Sequence, residues 1–385
     1  MDSIAKNSKI AIFSTNIFAK TLKDVILKYR PDLKIVYFID SFNQSDVFCD
    51  VPVIRPNQIP DFIDCVIVAS KSHREELVSV LKSNNWNKYI TLSDLYFDTI
   101  LKYFEYSHMF RFVQPGHYYS TIPTEDTVSS VLTNLDFDVE KEYRAIDFNI
   151  QKQLEYLDHF NYVNNLYVFP ELPSDNFYYY SKNTFFGKCD ALSLLNIILK
   201  NRPKRIIEVG SGYSTALMTD INKLYFDNSI KISSIEPYPD RLRLLFKDEY
   251  EKLDLQVVNL QEIPVDYFEQ LGENDLLFID SSHVSKTGSD VNYLMFEILP
   301  RLKKNVIVHF HDIFFPFEYP KPWYEQGRYW NEIYMMKAFL SYNNAFKILF
   351  WNNYMTQYVN QKNIKTNLVN NGHFGGSLYL RKIID

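Results

Sequence analysis

The second half of the chain alternates short apolar runs with longer stretches in which apolar and polar residues are mixed. Short apolar runs bounded by polar residues predict buried strands, and the mixed stretches between them are long enough for helices. The predicted strands are 205–209, 231–236, 255–258, 275–280 and 305–312, followed by two later strands at 346–350 and 377–381. This alternation is typical of an α/β domain built on a doubly wound parallel sheet.

Acidic residues mark the ends of four of these predicted strands. They are Glu208, Glu236, Asp280 and Asp312. In an open parallel sheet, ligands bind beyond the carboxyl ends of the strands. We therefore expect the four carboxylates to line one edge of the sheet and to mark the functional site.

The turn after the first of these strands contains two glycines, in the sequence Glu208-Val-Gly-Ser-Gly212. Glycines let the backbone turn tightly and approach a ligand without an intervening Cβ. A dinucleotide site would place a pyrophosphate here, which Glu208 would repel, and Thr215 occupies the position of its third glycine. An S-adenosylmethionine site, whose ligand carries an amino group and a sulfonium, is favoured over a nicotinamide site. If this segment binds no ligand, it is an ordinary strand-to-helix turn.

Glu236, at the end of the next predicted strand, follows Gly212 by 24 residues. That spacing is about one strand–helix–strand unit, and an acidic side chain at this place accepts hydrogen bonds from both hydroxyls of a ribose. The predicted cofactor-binding residues are Glu208, Gly210, Ser211, Gly212, Glu236 and Asp280.

Three ordered motifs show that the chain resembles the class I S-adenosylmethionine-dependent methyltransferases. They are Ile-Glu-Val-Gly-Ser-Gly-Tyr-Ser-Thr at 207–215, Phe-Ile-Asp-Ser-Ser-His at 278–283 and His-Asp-Ile-Phe-Phe-Pro at 311–316. The resemblance extends from about residue 177 to residue 383. Within this class, the chain resembles more narrowly a group that is associated with polysaccharide and glycan biosynthesis. It implies a seven-stranded sheet with an antiparallel last hairpin, and a sugar or nucleotide-sugar hydroxyl as the methyl acceptor.

The resemblance also implies a catalytic cluster. In related metal-dependent O-methyltransferases, the acid ending the fourth strand and a polar pair ending the fifth bind a divalent cation. This places a metal at Asp280, His311 and Asp312, and makes His283, just after Asp280, the predicted catalytic base. Carboxylates suit Mg²⁺ or Mn²⁺, whereas an imidazole ligand shifts the preference toward Mn²⁺, Fe²⁺ or Zn²⁺. The alternatives are a capping or surface role for His283 and a loop anchor at His311 and Asp312. A further histidine on the last of these strands, His309, is expected in the core.

The first third of the chain predicts a separate, smaller α/β domain over residues 1–103. Predicted strands at 9–13, 34–40, 64–69 and 89–92 alternate with helices that include 22–27 and 73–83. This doubly wound pattern resembles the N-terminal Rossmann-like domain of sugar acetyltransferases. Residues 14–18 replace the usual glycine loop with Ser, Thr and Asn, which can bind a phosphate, but we favour a scaffold without a ligand.

The region between the two predicted domains has weaker signals. Residues 104–136 lack a clear period and contain two proline turns, so they predict a connector. The methyltransferase domain is then expected over 137–385, beginning with a helical extension, because apolar residues recur on one stripe from 140 to 167.

Composition narrows the functional classes. The net charge of −6 and the pI near 5.8 argue against a nucleic-acid partner. No apolar run is long enough to cross a membrane, and three scattered cysteines fit a reduced, cytoplasmic compartment. We expect a cytoplasmic enzyme with a small-molecule substrate; the sequence is compatible with a homo-oligomer. The competing hypotheses are a non-catalytic scaffold or binding protein of a glycan pathway and an NAD-dependent sugar oxidoreductase.

Overall fold

The computed structural model describes residues 4–41, 43, 45–70, 73–92, 116–139, 143, 145–368 and 375–385. The chain divides into two compact units, Met1–Thr124 and Glu125–Asp385. Each unit holds one β-sheet with helices, so the predicted α/β class with two sheets is confirmed. In the part of the chain so described, no helix is long and apolar enough to cross a membrane.

The first unit contains a six-stranded sheet in the order β3-β4-β2-β1-β5-β6. Its strands are β1 (Lys9–Phe13), β2 (Lys34–Ile39), β3 (Val47–Phe48), β4 (Val51–Ile54), β5 (Cys65–Val68) and β6 (Tyr89–Thr91), and its helices are α1 (Ile17–Tyr29) and α2 (Arg74–Ser83). The antiparallel pair β3–β4 was not predicted, because β3 has only two residues and Pro52 lies inside β4. Proline argues against a central strand but is tolerated at a sheet edge, where this pair lies.

The second unit contains a seven-stranded sheet in the order β12-β13-β11-β10-β7-β8-β9. Its strands are β7 (Arg205–Val209), β8 (Lys231–Ile235), β9 (Asp254–Gln256), β10 (Leu276–Ile279), β11 (Ile307–Phe310), β12 (Phe346–Trp351) and β13 (Leu378–Lys382). The first five are parallel, and β13 pairs antiparallel with both β11 and β12. The predicted antiparallel last hairpin is therefore confirmed.

The helices of the second unit cover this sheet. They are α3 (Glu125–Thr133), α4 (Ile150–Val163), α5 (Lys188–Asn201), α6 (Tyr213–Phe226), α7 (Asp240–Phe246), α8 (Asp290–Tyr293), α9 (Lys321–Glu325), α10 (Glu332–Leu340) and α11 (Asn352–Gln361). Helix α5 packs between α4 and α6 and is buried along ten consecutive residues from its second position. A helix that is apolar on nearly all sides lies inside a domain, so α5 forms the centre of one covering layer.

Helix α4 begins later than the sequence pattern predicts. Asn149 precedes its first residue with a left-handed backbone, φ +49°, which a continuous α-helix does not contain. The Asn149 side-chain amide donates a hydrogen bond to the Ile348 carbonyl in β12, at 2.7 Å. The predicted apolar stripe is present, since Leu157 and Phe160 are buried. The start of α4 is therefore set by a contact with a distant strand.

Part of the predicted connector is folded. Helix α3 falls within residues 104–136 and belongs to the second compact unit. Residues 104–115 lie outside the described residues. The structure therefore places the end of the connector region in the second unit, where α3 contacts α9.

Candidate functional site

The sheet order places β11, β10, β7 and β8 side by side as parallel neighbours. The segments after these strands leave the sheet at the same edge, where ligands of this architecture bind. In spatial order they carry His311 and Asp312, then Asp280 and His283, then Gly210–Gly212, then Glu236. The residues predicted from the sequence thus form one row along this edge.

The glycine loop after β7 lies directly against the end of β10. Gly210 has a left-handed backbone, φ +79°, and a Cβ there would lie 1.8 Å from the Asp280 carbonyl oxygen. Only glycine meets both conditions. Gly212 is also closely packed, because a Cβ there would lie 2.9 Å from Cδ of Arg241, whose guanidinium lies 3.8 Å from the centre of the Phe185 ring. The loop therefore presents bare backbone where the two strands end.

Glu236 holds this loop from the side of β8. Its carboxylate accepts hydrogen bonds from the Ser211 amide at 2.9 Å and the Tyr238 amide at 2.8 Å. Burial raises the pKa of Glu236, and these two bonds oppose the shift. The Ser211 hydroxyl is buried without a hydrogen-bond partner, which costs about 1–3 kcal/mol. A ligand with polar groups on the loop would supply that partner, so the site fits the predicted donor.

Glu208 lies beneath the loop and is fully buried. Its carboxylate accepts hydrogen bonds from the hydroxyls of Ser214, Thr215 and Ser234 at 2.6–2.7 Å. The Thr215 hydroxyl in turn accepts a hydrogen bond from the Gly212 amide at 2.9 Å. Burial raises the pKa of Glu208 to about 7, although the hydroxyls oppose the shift. A direct contact of Glu208 with the donor stays a prediction; the structure shows that this carboxylate ties the loop to α6 and β8.

His283 is buried among carboxylates. Its Nδ1 lies 2.8 Å from Oε2 of Glu332, and its Nε2 lies 3.4 Å from Oδ1 of Asp280 and 3.6 Å from Oδ2 of Asp312. Burial lowers the pKa of His283, but the carboxylates, Asp280 and Glu332 above all, outweigh burial and raise the pKa to about 10. His283 and Asp312 both adopt the left-handed backbone, φ +59°. Strained backbone at non-glycine residues is typical of functional positions.

His311 approaches the same two carboxylates through its Nδ1. That atom lies 3.5 Å from Oδ1 of Asp280 and 3.4 Å from Oδ1 of Asp312. Its Nε2 lies 3.8 Å from Oδ2 of Asp190, in the first turn of α5. One ligand atom from each of Asp280, His311 and Asp312 lies within 4.8 Å of the others, which is compatible with a shared metal ion.

Two buried acids of this cluster were missed from the sequence. Asp190 accepts hydrogen bonds from the Ser377 hydroxyl at 2.7 Å and the Gly376 amide at 2.9 Å, besides its approach to His311. Its signal was available, because an acid in the apolar run 189–198 must have a partner when the helix is buried. Glu332 has no comparable signal, since its pairing with His283 depends on the fold.

His309 lies in the core rather than in the cluster. Its ring stacks on Phe278 with centres 3.9 Å apart, and its Nε2 lies 3.1 Å from the Ser377 hydroxyl. Burial holds the pKa of His309 well below its usual value, so the ring is neutral. Its place supports the expected structural role.

A cavity of about 800 Å³ opens beside His311 and Asp312. Its walls are mainly apolar and aromatic and come from α3, from the segment after α3 and from the loop after β11. They include Leu132, Leu135, Phe137, Phe314, Tyr319 and Trp323. Gly210 and Glu236 are not among its lining residues, but Phe185 is, and its ring stacks on Tyr213 at the start of α6.

One wall of this cavity carries a carboxylate in a fixed position. Oε2 of Glu318 accepts hydrogen bonds from the hydroxyls of Tyr324 at 2.8 Å and Tyr334 at 2.6 Å. The nearby Trp330 packs on the His283 ring with centres 4.5 Å apart. Trp330 therefore supports the cluster, and Glu318 adds an acidic group to a cavity that Asp190 and Asp312 also line.

Residues 14–18, the loop after β1 that lacks glycines, have their polar groups hydrogen-bonded within the first unit. The amide and hydroxyl of Thr15 donate to Asp40 at 3.0 Å and 2.6 Å. The Asn16 side chain accepts a hydrogen bond from the Ala19 amide and caps α1. Since these groups already have partners and Asp40 would repel a phosphate, the geometry argues against a phosphate site at this loop.

Two comparisons with known proteins bear on the site. A family described as "Methyltransferase domain" matches residues 207–313, which contain the glycine loop, Glu236, the segment from Asp280 to His283, and Asp312. A protein of Archaeoglobus fulgidus, described as an uncharacterized protein, is 37% identical over 172 residues. The match covers 42% of this chain and 74% of that protein.

Proposed function

We propose that this chain, which contains a methyltransferase domain, transfers the methyl group of S-adenosylmethionine to a hydroxyl of a sugar or nucleotide-sugar. The glycine loop carries the proposal. Its backbone at Gly210 lies against the end of β10, its Ser211 hydroxyl is buried without a partner, and Glu236 lies at the neighbouring strand end. The donor would lie over this loop, with its ribose hydroxyls at Glu236.

Methyl transfer from a sulfonium is an in-line displacement. The acceptor oxygen attacks the methyl carbon, the carbon–sulfur bond breaks, S-adenosylhomocysteine leaves and the hydroxyl proton passes to a base. The protein must hold the acceptor oxygen about 3 Å from the methyl group. His283 is the predicted base, because Glu332 holds its Nδ1 and turns its Nε2 toward the edge of the sheet. With neighbouring carboxylates raising its pKa, the imidazole needs a compensating positive charge to act as a free base.

The cluster also fits a divalent cation. Asp280, His311 and Asp312 would hold it, since two carboxylates and an imidazole are within reach of one ion. When bound there, a cation lowers the pKa of a sugar hydroxyl, which is a poor nucleophile at neutral pH.

The cavity beside the cluster supports a ring-shaped acceptor that bears hydroxyl groups. Phe314 and Trp323 offer flat apolar surfaces, and Glu318 offers a fixed hydrogen-bond acceptor among them. Ligand pockets combine mainly apolar walls with a few well-placed polar groups in this way. The volume of about 800 Å³ leaves room for more than a single sugar ring.

Calorimetric titration with S-adenosylmethionine and S-adenosylhomocysteine tests the donor assignment. We expect micromolar binding of both and none of NAD⁺. Glu236→Gln should weaken both by about 10–100-fold, because a charge-assisted hydrogen bond contributes about 1.5–3 kcal/mol. The matched control is Asp240→Asn, an acid of the same segment that pairs with Arg243 at the surface. Binding of NAD⁺ alone would favour an oxidoreductase instead.

A screen of sugars and nucleotide-sugars with labelled donor tests the acceptor class. For an acceptor found in this way, Glu318→Gln should raise KM about tenfold, the equivalent of one hydrogen bond to a charged group, with kcat nearly unchanged. Glu325→Gln is the control, because Glu325 is exposed and pairs with Lys321. An unchanged KM would exclude Glu318 from acceptor binding. Donor binding without turnover on any acceptor would favour the scaffold hypothesis.

A further inference from the structure

We infer that the molecule recognised in the cavity carries a protonated amino group, which binds at Glu318, and that the acceptor is an amino sugar rather than a nucleotide-sugar. The place of the acceptor in this cavity rests on the proposed function, whereas its charge follows from the groups on the cavity wall. The amino group would anchor the acceptor, and a hydroxyl of the same molecule would receive the methyl group.

The carboxylate of Glu318 is held through only one of its two oxygens. Oε2 accepts the hydrogen bonds of both tyrosine hydroxyls, from Tyr324 at 2.8 Å and from Tyr334 at 2.6 Å. Burial raises the pKa of Tyr324 to about 12 and also raises the pKa of Tyr334, so both hydroxyls keep their protons and donate. Within the described ranges, no residue donates a hydrogen bond to Oε1. The side chain is therefore oriented by its neighbours and has one oxygen left for a ligand.

Glu318 also has no cationic partner among the residues that the structure describes. Lys321 lines the same cavity, but its Nζ pairs with Glu325 at 3.7 Å instead. Acidic side chains that are shielded from water usually have a partner of opposite charge. An oriented carboxylate that lacks one, on the wall of a cavity, indicates that the ligand supplies the positive charge.

The other charged groups of the wall argue against a phosphate. Asp190 and Asp312 also line the cavity, and they lie 3.8 Å and 3.4 Å from nitrogens of His311. A bound phosphate would thus meet three carboxylates, while the imidazole and the already paired lysine are the cations among the described lining residues. Juxtaposed like charges disfavour a partner strongly. The wall therefore selects against the diphosphate of a nucleotide-sugar.

The aromatic rings beside Glu318 suit an ammonium group on a sugar ring. Phe314, Tyr319 and Trp323 line the cavity together, and Trp323 contacts the other two rings with centres 5.4 Å and 5.8 Å apart. Aromatic faces attract cations, tryptophan most strongly. The Trp323 ring already attracts the guanidinium of Arg328, 5.2 Å from its centre, and Arg328 is not among the lining residues. Rings and carboxylate together form a site for an amine.

Calorimetric titration of the full-length protein with matched sugars tests this site without turnover. The probes are glucosamine, galactosamine and mannosamine, each paired with its N-acetyl derivative, and UDP-glucose. S-adenosylhomocysteine and Mg²⁺ are present throughout, at about pH 6.5, where the free amines are protonated. We expect at least one amino sugar to bind about tenfold or more tightly than its N-acetyl derivative and than UDP-glucose, because N-acetylation removes the charge that Glu318 recognises. No preference for any free amine, or tightest binding of UDP-glucose, would overturn the assignment.

Glu318→Gln should reduce this preference to less than about threefold, because the amide keeps an acceptor oxygen and loses the charge. Glu297→Gln is the matched control, since Glu297 pairs with Arg301 at the surface and does not line the cavity. An unchanged preference in Glu318→Gln would exclude Glu318 as the amine site. If thermal unfolding shows that this variant does not fold, Tyr334→Phe should still weaken binding of the amine by about threefold, since it removes one hydroxyl that orients the carboxylate.

Turnover separates this assignment from the proposed function. Selective binding of an amino sugar without methyl transfer from labelled donor would contradict the proposed function and leave the amine site in place. Methyl transfer to neutral sugars or nucleotide-sugars, with no turnover on any amino sugar, would support the proposed function and overturn the amine site.

Discussion

Replacing His283 by alanine is expected to lower the rate of methyl transfer by about 10²–10⁴-fold, the usual contribution of a positioned acid–base group. Its Nε2 lies beside Asp280 and Asp312 at the edge of the sheet, so the predicted base role depends on it. The glycine loop is held separately, by Glu208 and Glu236. Single-turnover assays with labelled donor should therefore show the loss while the affinity for S-adenosylhomocysteine stays unchanged.

A second substitution at His283 tests whether the loss of turnover in His283→Ala is caused by misfolding. Alanine at His283 must adopt φ +59°, and it leaves the buried Glu332 without its partner. An uncompensated buried charge costs about 3–5 kcal/mol. His283→Asn tolerates the left-handed backbone, and its amide can face Glu332. Wild-type turnover in a folded His283→Asn variant would exclude His283 from the chemistry.

Replacing Glu208 by alanine is expected to lower the free energy of unfolding by about 2–5 kcal/mol. Three buried hydroxyls, those of Ser214, Thr215 and Ser234, would lose their acceptor, and each unsatisfied group costs about 1–3 kcal/mol, partly offset by removal of a buried carboxylate. Glu208→Gln keeps an acceptor oxygen and should preserve most of this stability. Denaturant unfolding at pH 7 measures the difference, and equal stability of the alanine variant would show that the hydroxyls find other partners.

The same residue gives the stability a defined pH dependence. The pKa of Glu208 rises from 4.5 to about 7 on burial, so between these values the folded protein holds a proton that the unfolded chain has released. The stabilising contribution of that proton is fully present below pH 4.5 and is lost as pH rises through 7, by about 3 kcal/mol in total. The stability difference between wild type and Glu208→Gln should follow this curve. A difference that does not vary between pH 5 and 8 would contradict it.

The strands and the glycine loop could be predicted because their sequence signals are local. Apolar runs mark β7, β8, β10 and β11, and the turn at Gly210 requires glycine wherever it occurs. The family match confirms the methyltransferase domain that these signals predict. The narrower assignment to glycan biosynthesis stays a prediction, since none of these signals specifies the acceptor.

The features that escaped prediction depend on distant partners. Asn149 sets the start of α4 through a hydrogen bond to β12, and Glu332 meets His283 across 49 residues of sequence. The pair β3–β4 is stabilised by the pairing of β4 with β2. Pro52 interrupts the strand pattern of β4, so the sequence does not indicate a strand there. A sequence without an alignment of relatives carries no information on such pairings, so the second layer of the site appears only in the structure.

The position of β13 in the sheet bears on how the protein is made. This strand lies between β11 and β12, yet its residues, Leu378–Lys382, follow both of them in the chain. While a ribosome is still synthesising residues before 378, β11 has an open edge and β12 has no neighbour in the sheet. The turn that leads into β13 also brings Gly376 and Ser377 to Asp190. The hydrogen bonds that hold Asp190 beside His311 can therefore form only after translation has passed residue 377.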